Sequence, residues 1–152
     1  MKEIIELLSA SLAPITAIVA LTITYRQYRL ERVKFRHELY EKRLAIYDST
    51  MRLLSNILRT GKVEFEELVQ FLRETNQSRF LLGKDISDYL DELYKKGVDL
   101  ECQSKMLNGP DRIPTGEERT RLAHENCELQ KWFGHQITTA PEKFSVHLGL
   151  DK

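Results

Sequence analysis

The chain has few of the residues that build chemical sites. It has two cysteines, seven glycines, four prolines and one tryptophan in 152 residues. Cys102 and Cys127 form no C-x-x-C pair, so neither a zinc ribbon nor a disulfide framework is indicated, and two free thiols on helices are expected in a reducing cytosol. The sparse glycines make no G-x-G-x-x-G, P-loop or other phosphate cradle. No stretch alternates apolar and polar residues as a strand would. Net charge is also absent: 23 Lys and Arg balance 23 Asp and Glu, which removes the global polycation signature of a nucleic-acid binder. These absences predict a non-enzymatic protein with no cofactor, no metal and no nucleic-acid partner.

What is present begins at the N-terminus. From Leu7 to Tyr25 no charge interrupts the apolar run, and Arg26, Arg29, Arg32, Lys34 and Arg36 follow at once. Nineteen helical residues at about 1.5 Å each span roughly 28 Å, close to the ~30 Å hydrocarbon core of a bilayer. Pro14 lies mid-span, where a membrane helix tolerates it. The rival reading of a cleaved signal is opposed by the two acids in MKEIIE and by the lack of a small-x-small site before the arginines. Positive charge at one end keeps that end cytoplasmic, so the N-terminus is expected outside and residues 26–152 in the cytosol. Arg29, Arg32, Arg36 and Arg43 share a helix face. At the bilayer surface the basic cluster is expected to contact anionic headgroups.

The remainder reads as all-α, with an N-terminal transmembrane helix (1–25), a long amphipathic heptad helix continuous with it (26–60) and a cytosolic antiparallel helical bundle (61–152). Leu30, Val33, His37, Tyr40, Leu44, Tyr47, Met51, Leu54 and Leu58 recur in 3-4 spacing, with Leu39, Ile46 and Leu53 as an adjoining stripe. Gly61 should end this helix. A second helix is expected over 63–75, with Phe65, Leu68, Val69, Phe71 and Leu72 as its apolar positions. Phe80, Leu81 and Leu82 should bury a short piece before Gly83. Asp85 is the expected cap of a third helix that carries Ile86, Tyr89, Leu90 and Leu93. NGPDRIPTG (108–116) reads as a linker. Thr115 and Glu118 have capping-box spacing and should open a helix reaching Phe133, with Leu122, Asn126, Leu129, Trp132 and Phe133 facing inward. Pro141 should open a separate final helix, in which Phe144, Val146, Leu148 and Leu150 pin the C-terminus.

Within the span, Ser9, Ala13 and Ala17 and, separately, Thr16, Ala20 and Thr24 form small-residue spacings that let helices approach closely in lipid. Together with the heptads they indicate a homo-oligomer, with Ala13, Ala17, Ala20, Leu30, Val33, Tyr40, Leu44 and Tyr47 as self-association residues. His124 and Cys127 share a helix face, and Cys102 and His135 could be added as metal ligands. One half-pair with two distant singles is not a zinc pattern, however, and a solvated histidine beside a small thiol accounts for it. A Cys–His nucleophile lacks an orienting third group. His37 in the heptad seam reads as a register-setting polar residue, with proton sensing as the sharper alternative.

The stretches YRQYRLERVKFRHELYEKRLAIYD, SRFLLGKDISDYLDELYKKGVDL and QKWFGHQI…PEKFSVHLGL resemble a family of small bacterial membrane proteins that have one N-terminal span, a cytosolic helical domain and no assigned activity. The resemblance implies a bacterial inner-membrane protein and carries over no site residues. The expected function is a self-associating, membrane-tethered adaptor whose helical bundle binds a cytosolic protein, with Arg79, Phe80, Tyr89 and Tyr94 as candidate contacts. The alternative is an oligomeric pore-forming or membrane-perturbing effector triggered through that bundle.

Overall fold

A computed structural model describes residues 2–108 and 115–149, with side chains from Thr16 onward. Among the described residues the chain is helical and contains no strand. Its helices are α1 Lys2–Thr60, α2 Phe65–Thr75, the single turn α3 Ser78–Leu81, α4 Lys84–Asn108 and α5 Glu117–Leu148. The chain divides into two compact units, Met1–Leu39 and Tyr40–Lys152. The boundary therefore falls inside α1. The reason is that Ile46, Leu53, Leu54 and Ile57 belong to the same buried cluster as residues of the later helices.

Among the described residues no helix is long and apolar enough to cross a membrane. The expected span starts at Leu7, and the side chains of its residues 7–15, Ala13 among them, lie outside the described set. The backbone continuity expected between residues 25 and 30 is present, because α1 runs unbroken to Thr60.

The second unit is built on the face of α1 at Ile46, Thr50, Leu53 and Ile57, one helical stripe that is buried throughout. The core thus follows the adjoining stripe of Ile46 and Leu53 more than the main heptad. Leu44, Tyr47 and Met51 are half-buried beside it, and Leu58 is exposed. Thr50 sits at the centre of this face because its hydroxyl donates to the Ile46 carbonyl at 2.8 Å, which satisfies the only side-chain polar group it brings inside. Gly61, at φ 67°, ends α1 as expected. It takes a left-handed conformation that costs glycine little, and its N–H closes on the Ile57 carbonyl at 2.7 Å.

Helix α2 starts two residues later than expected. Glu64 is its cap, and the Glu67 carboxylate accepts from the Glu64 N–H at 3.1 Å. Leu68 and Phe71 face the core, while Phe65 and Leu72 are exposed. In α3 and the turn after it, Leu82 is buried and Phe80 is 89% exposed, so only part of the expected apolar plug is inside. In α4, Ile86, Tyr89, Leu90 and Leu93 are all buried, as their spacing predicts, and Leu100 extends the stripe. Asp85 lies in the first turn of this helix, not at its cap.

Two expectations for α5 fail. Thr115 does not cap it. Gly116 takes that place at φ 65° with no side-chain cap, and the helix begins at Glu117, whose charge and that of Glu118 favour an N-terminus without a hydroxyl. Residues 109–114 of the expected linker lie outside the described residues. Nor does Pro141 open a new helix, since α5 continues through it to Leu148. Ala140 and Phe144 on either side are fully buried, and that packing offsets the hydrogen bond that proline cannot donate to the Ile137 carbonyl. Val146 is exposed, Leu148 is half-buried, and Leu150 lies outside the described residues.

Candidate functional site

Every described residue from Thr16 to Glu38 is exposed. In the first ten of these, Ile18, Val19, Leu21, Ile23 and Tyr25 point around the whole helix and each is at least half exposed. The hydroxyls there are turned inward: Thr22 donates to the Ile18 carbonyl, and Thr24 to the Ala20 carbonyl at 2.9 Å. This back-bonding satisfies a polar side chain without water. Arg26, Arg29, Arg32, Lys34 and Arg36 are all exposed, as are Ala17 and Ala20.

At 100° per residue, the helix from Tyr28 to Arg43 has four distinct sides. Arg29, Arg32, Arg36 and Arg43 form one, and Glu31, Glu38 and Glu41, with Lys34 and Lys42 among them, form the opposite one. Between these lie two apolar sides, Leu30, Val33, His37 and Tyr40 on one flank and Tyr28, Phe35 and Leu39 on the other. Leu30 is 60% exposed and Val33 56%. Of the remaining expected self-association residues, Tyr40 and Leu44 are half-buried. Tyr47 is engaged within its own chain, its ring edge-on to Phe144 with centroids 5.4 Å apart.

A second arrangement, which the sequence reading missed, is a polar groove of about 530 Å³ between α2 and the last turns of α1. Glu74 is its hub. It accepts from Ser49 Oγ at 2.6 Å and from Gln70 Nε2 at 2.9 Å, and it pairs with Arg52. Asn56 Nδ2 donates to Glu67 at 2.5 Å, and Arg59 donates to Asn56 Oδ1 at 2.9 Å. The Ser49 hydroxyl above all holds the Glu74 carboxyl below its ordinary value; burial pushes the other way, and Gln70 and Arg52 add to the lowering. These contacts join the last turns of α1 to α2 through Ser49, Arg52 and Asn56 on one side and Glu67 and Glu74 on the other. The available signal was the run of small polar residues at 49, 50, 55 and 56 within an apolar repeat.

The remaining candidates are dispersed. Cys102, His124, Cys127 and His135 are all exposed, and among the described residues no three His, Cys, Asp or Glu side chains are placed to hold a metal ion. His147 Nε2 lies 2.8 Å from Asp85 Oδ2, and Arg43 donates to the His147 carbonyl at 3.2 Å, so the end of α5 is tied to α4 and α1. That histidine holds the Asp85 carboxyl below its ordinary value. Of the expected contact residues, Arg79 and Phe80 are exposed and Tyr94 packs half-buried on the core. Tyr89 is 5% exposed and is therefore a core residue. Burial, with Glu92 nearby, pushes its hydroxyl up to about 12. No family model matches the chain, and neither the curated proteins nor the solved structures include one similar to it.

Proposed function

We propose that this protein is a non-enzymatic membrane-anchored scaffold of the bacterial inner membrane. Residues 7–25 lie in the bilayer with the N-terminus outside, and Arg26, Arg29, Arg32, Lys34 and Arg36 meet anionic headgroups on the cytoplasmic side. The chain self-associates through α1, and the helical unit Tyr40–Lys152 offers its surface to a cytosolic protein. The observation that carries this reading is the unbroken exposure of residues 16–38. The first ten of these residues, 16–25, are uncharged and present apolar side chains all round the helix, a stretch that needs lipid or protein around it, and Thr22 and Thr24 are already satisfied by their own backbone.

Carbonate extraction of membranes from cells making the full chain tests the anchor. The protein stays in the pellet, and Ile18→Asp with Leu21→Asp moves it to the supernatant. Release of the unaltered chain by carbonate would refute the anchor. Cys102 and Cys127, both exposed, report orientation: an impermeant maleimide labels them only after the cells are broken. The pore-forming alternative requires four or more spans around one axis, which native mass spectrometry of the released protein would reveal.

A further inference from the structure

We infer that the apolar side Leu30–Val33–His37–Tyr40 of α1 is the seam of a parallel two-stranded coiled coil with a second copy of this chain. The inference rests on the anchored, self-associating reading above. Leu30, Val33 and His37 are exposed and in 3-4 spacing, the pattern that buries itself against an identical helix. Anchors inserted in the same sense allow only parallel pairing. The seam is short, so confinement to one membrane plane supplies much of the effective concentration that holds the pair.

The order of charges around the helix selects a pair over a ring. A two-fold axis along the seam rotates one copy by half a turn, so the arginine side of each helix borders the glutamate side of the other. Arg36 then faces Glu41 of the second copy, twice by symmetry. A ring would instead place the Leu30 side of each copy against the Tyr28–Phe35 side of the next. All arginine sides would then border one another, and like charges oppose such contacts. One like-charged pair remains in the two-fold arrangement, Arg29 against Lys34 of the second copy. The small face of Ala17 and Ala20 lies roughly 150° around the helix from Leu30 and Val33, so the same neighbour does not cover both faces. The seam therefore belongs to the heptad and not to the small residues.

The test uses the full chain in native membranes with Cys102→Ser and Cys127→Ser. Val33→Cys gives an oxidative dimer and Phe35→Cys does not, and the doubly substituted Val33→Cys, Phe35→Cys chain also stops at the dimer. A ladder beyond the dimer from the double variant, or equal cross-linking at Phe35, would overturn the pair in favour of a ring. In the Val33→Cys chain, Arg36→Glu lowers the cross-linked fraction about tenfold and adding Glu41→Arg restores it. Lys34→Glu raises it, because it converts the remaining like-charged pair. Absence of cross-linking at both positions, in protein that pellets with membranes, overturns the seam and leaves the anchor standing. Protein that fails to pellet refutes the anchor independently of the cross-linking result.

Discussion

Helices α2 and α4 approach closely at Gly97, where a side chain would have no room. A Cβ added to Gly97 would stand 2.5 Å from Leu68 Cδ2, with Cδ1 and Cγ at 3.7 Å. Two carbons rest at about 3.5–4.0 Å, so the overlap is about 1 Å. Leu68 is fully buried, so its methyl can turn away only against close-packed neighbours. Replacing glycine inside a helix with alanine favours the helix by about 1 kcal/mol, while overpacking costs about 1–3 kcal/mol. With an overlap this large the packing cost wins, and Gly97→Ala should destabilise the protein by about 1–2 kcal/mol. Urea unfolding of the full chain in mild detergent, followed by the fluorescence of Trp132, measures this directly. Leu68→Ala alone loses about 2–5 kcal/mol. In the double variant the new methyl occupies part of the vacated space, so the loss is smaller than the sum of the two singles by about 1–2 kcal/mol. A Gly97→Ala protein as stable as the parent, or more so, would show that α2 and α4 are not in contact here and would refute the argument.

Glu74 offers a pH test. Its folded carboxyl is held low, first by the Ser49 hydroxyl, so its contribution is complete at neutral pH. That contribution fades as pH falls from about 4.3, the ordinary glutamate value, through the lower folded value. Glu74→Gln should remove this part of the acid dependence in pH-stepped urea titrations, and an unchanged acid limb would contradict these Glu74 contacts. The Tyr89 hydroxyl is buried without a hydrogen-bond partner. Tyr89→Phe should therefore leave the melting temperature unchanged or raise it, by up to about 1 kcal/mol of stability, and a clear loss would reveal a partner. Pro141→Ala restores a donor to the Ile137 carbonyl and should add about 1–2 kcal/mol, read in the same unfolding experiment. Phe80→Ser, at an 89% exposed position, should change stability by less than about 0.5 kcal/mol, whereas Phe144→Ala should cost about 3–5 kcal/mol.

The regular parts of this chain were legible because one physical pattern dominated them. In α4, Ile86, Tyr89, Leu90 and Leu93 had no competing periodicity and all are buried. In α1 two apolar stripes competed, and spacing alone could not rank them. The core took Ile46, Thr50, Leu53 and Ile57 together with Leu54 of the heptad; Thr50 enters it with its hydroxyl closed on its own helix, and small polar residues are easily misread as surface. Helix ends were read less well. Thr115 and Pro141 each carry a strong local signal, but Gly116 displaced the first and the buried flanks of Pro141 overrode the second. The polar groove was invisible because Ser49 and Glu74 are 25 residues apart and their union depends on how α2 docks. Within the candidate site, the basic residues and the heptad were legible, while their arrangement around the helix required treating α1 as one continuous element.

That arrangement is more than topology requires. Orientation in a membrane depends on how many positive charges flank a span, and their placement around the helix is immaterial to it. Arg26, Arg29, Arg32, Lys34 and Arg36 would orient the chain equally well in any angular order. Arg29, Arg32 and Arg36 nevertheless fall on one side, Glu31 and Glu38 on the other, and the apolar residues on the flanks between them. Headgroup contact gives no reason for a segregated acidic side, since an anionic surface is better met by a helix without one. A neighbouring helix does give a reason, because each side then has a complement. On the proposed reading, the charge count of this segment specifies orientation and the charge order specifies a partner.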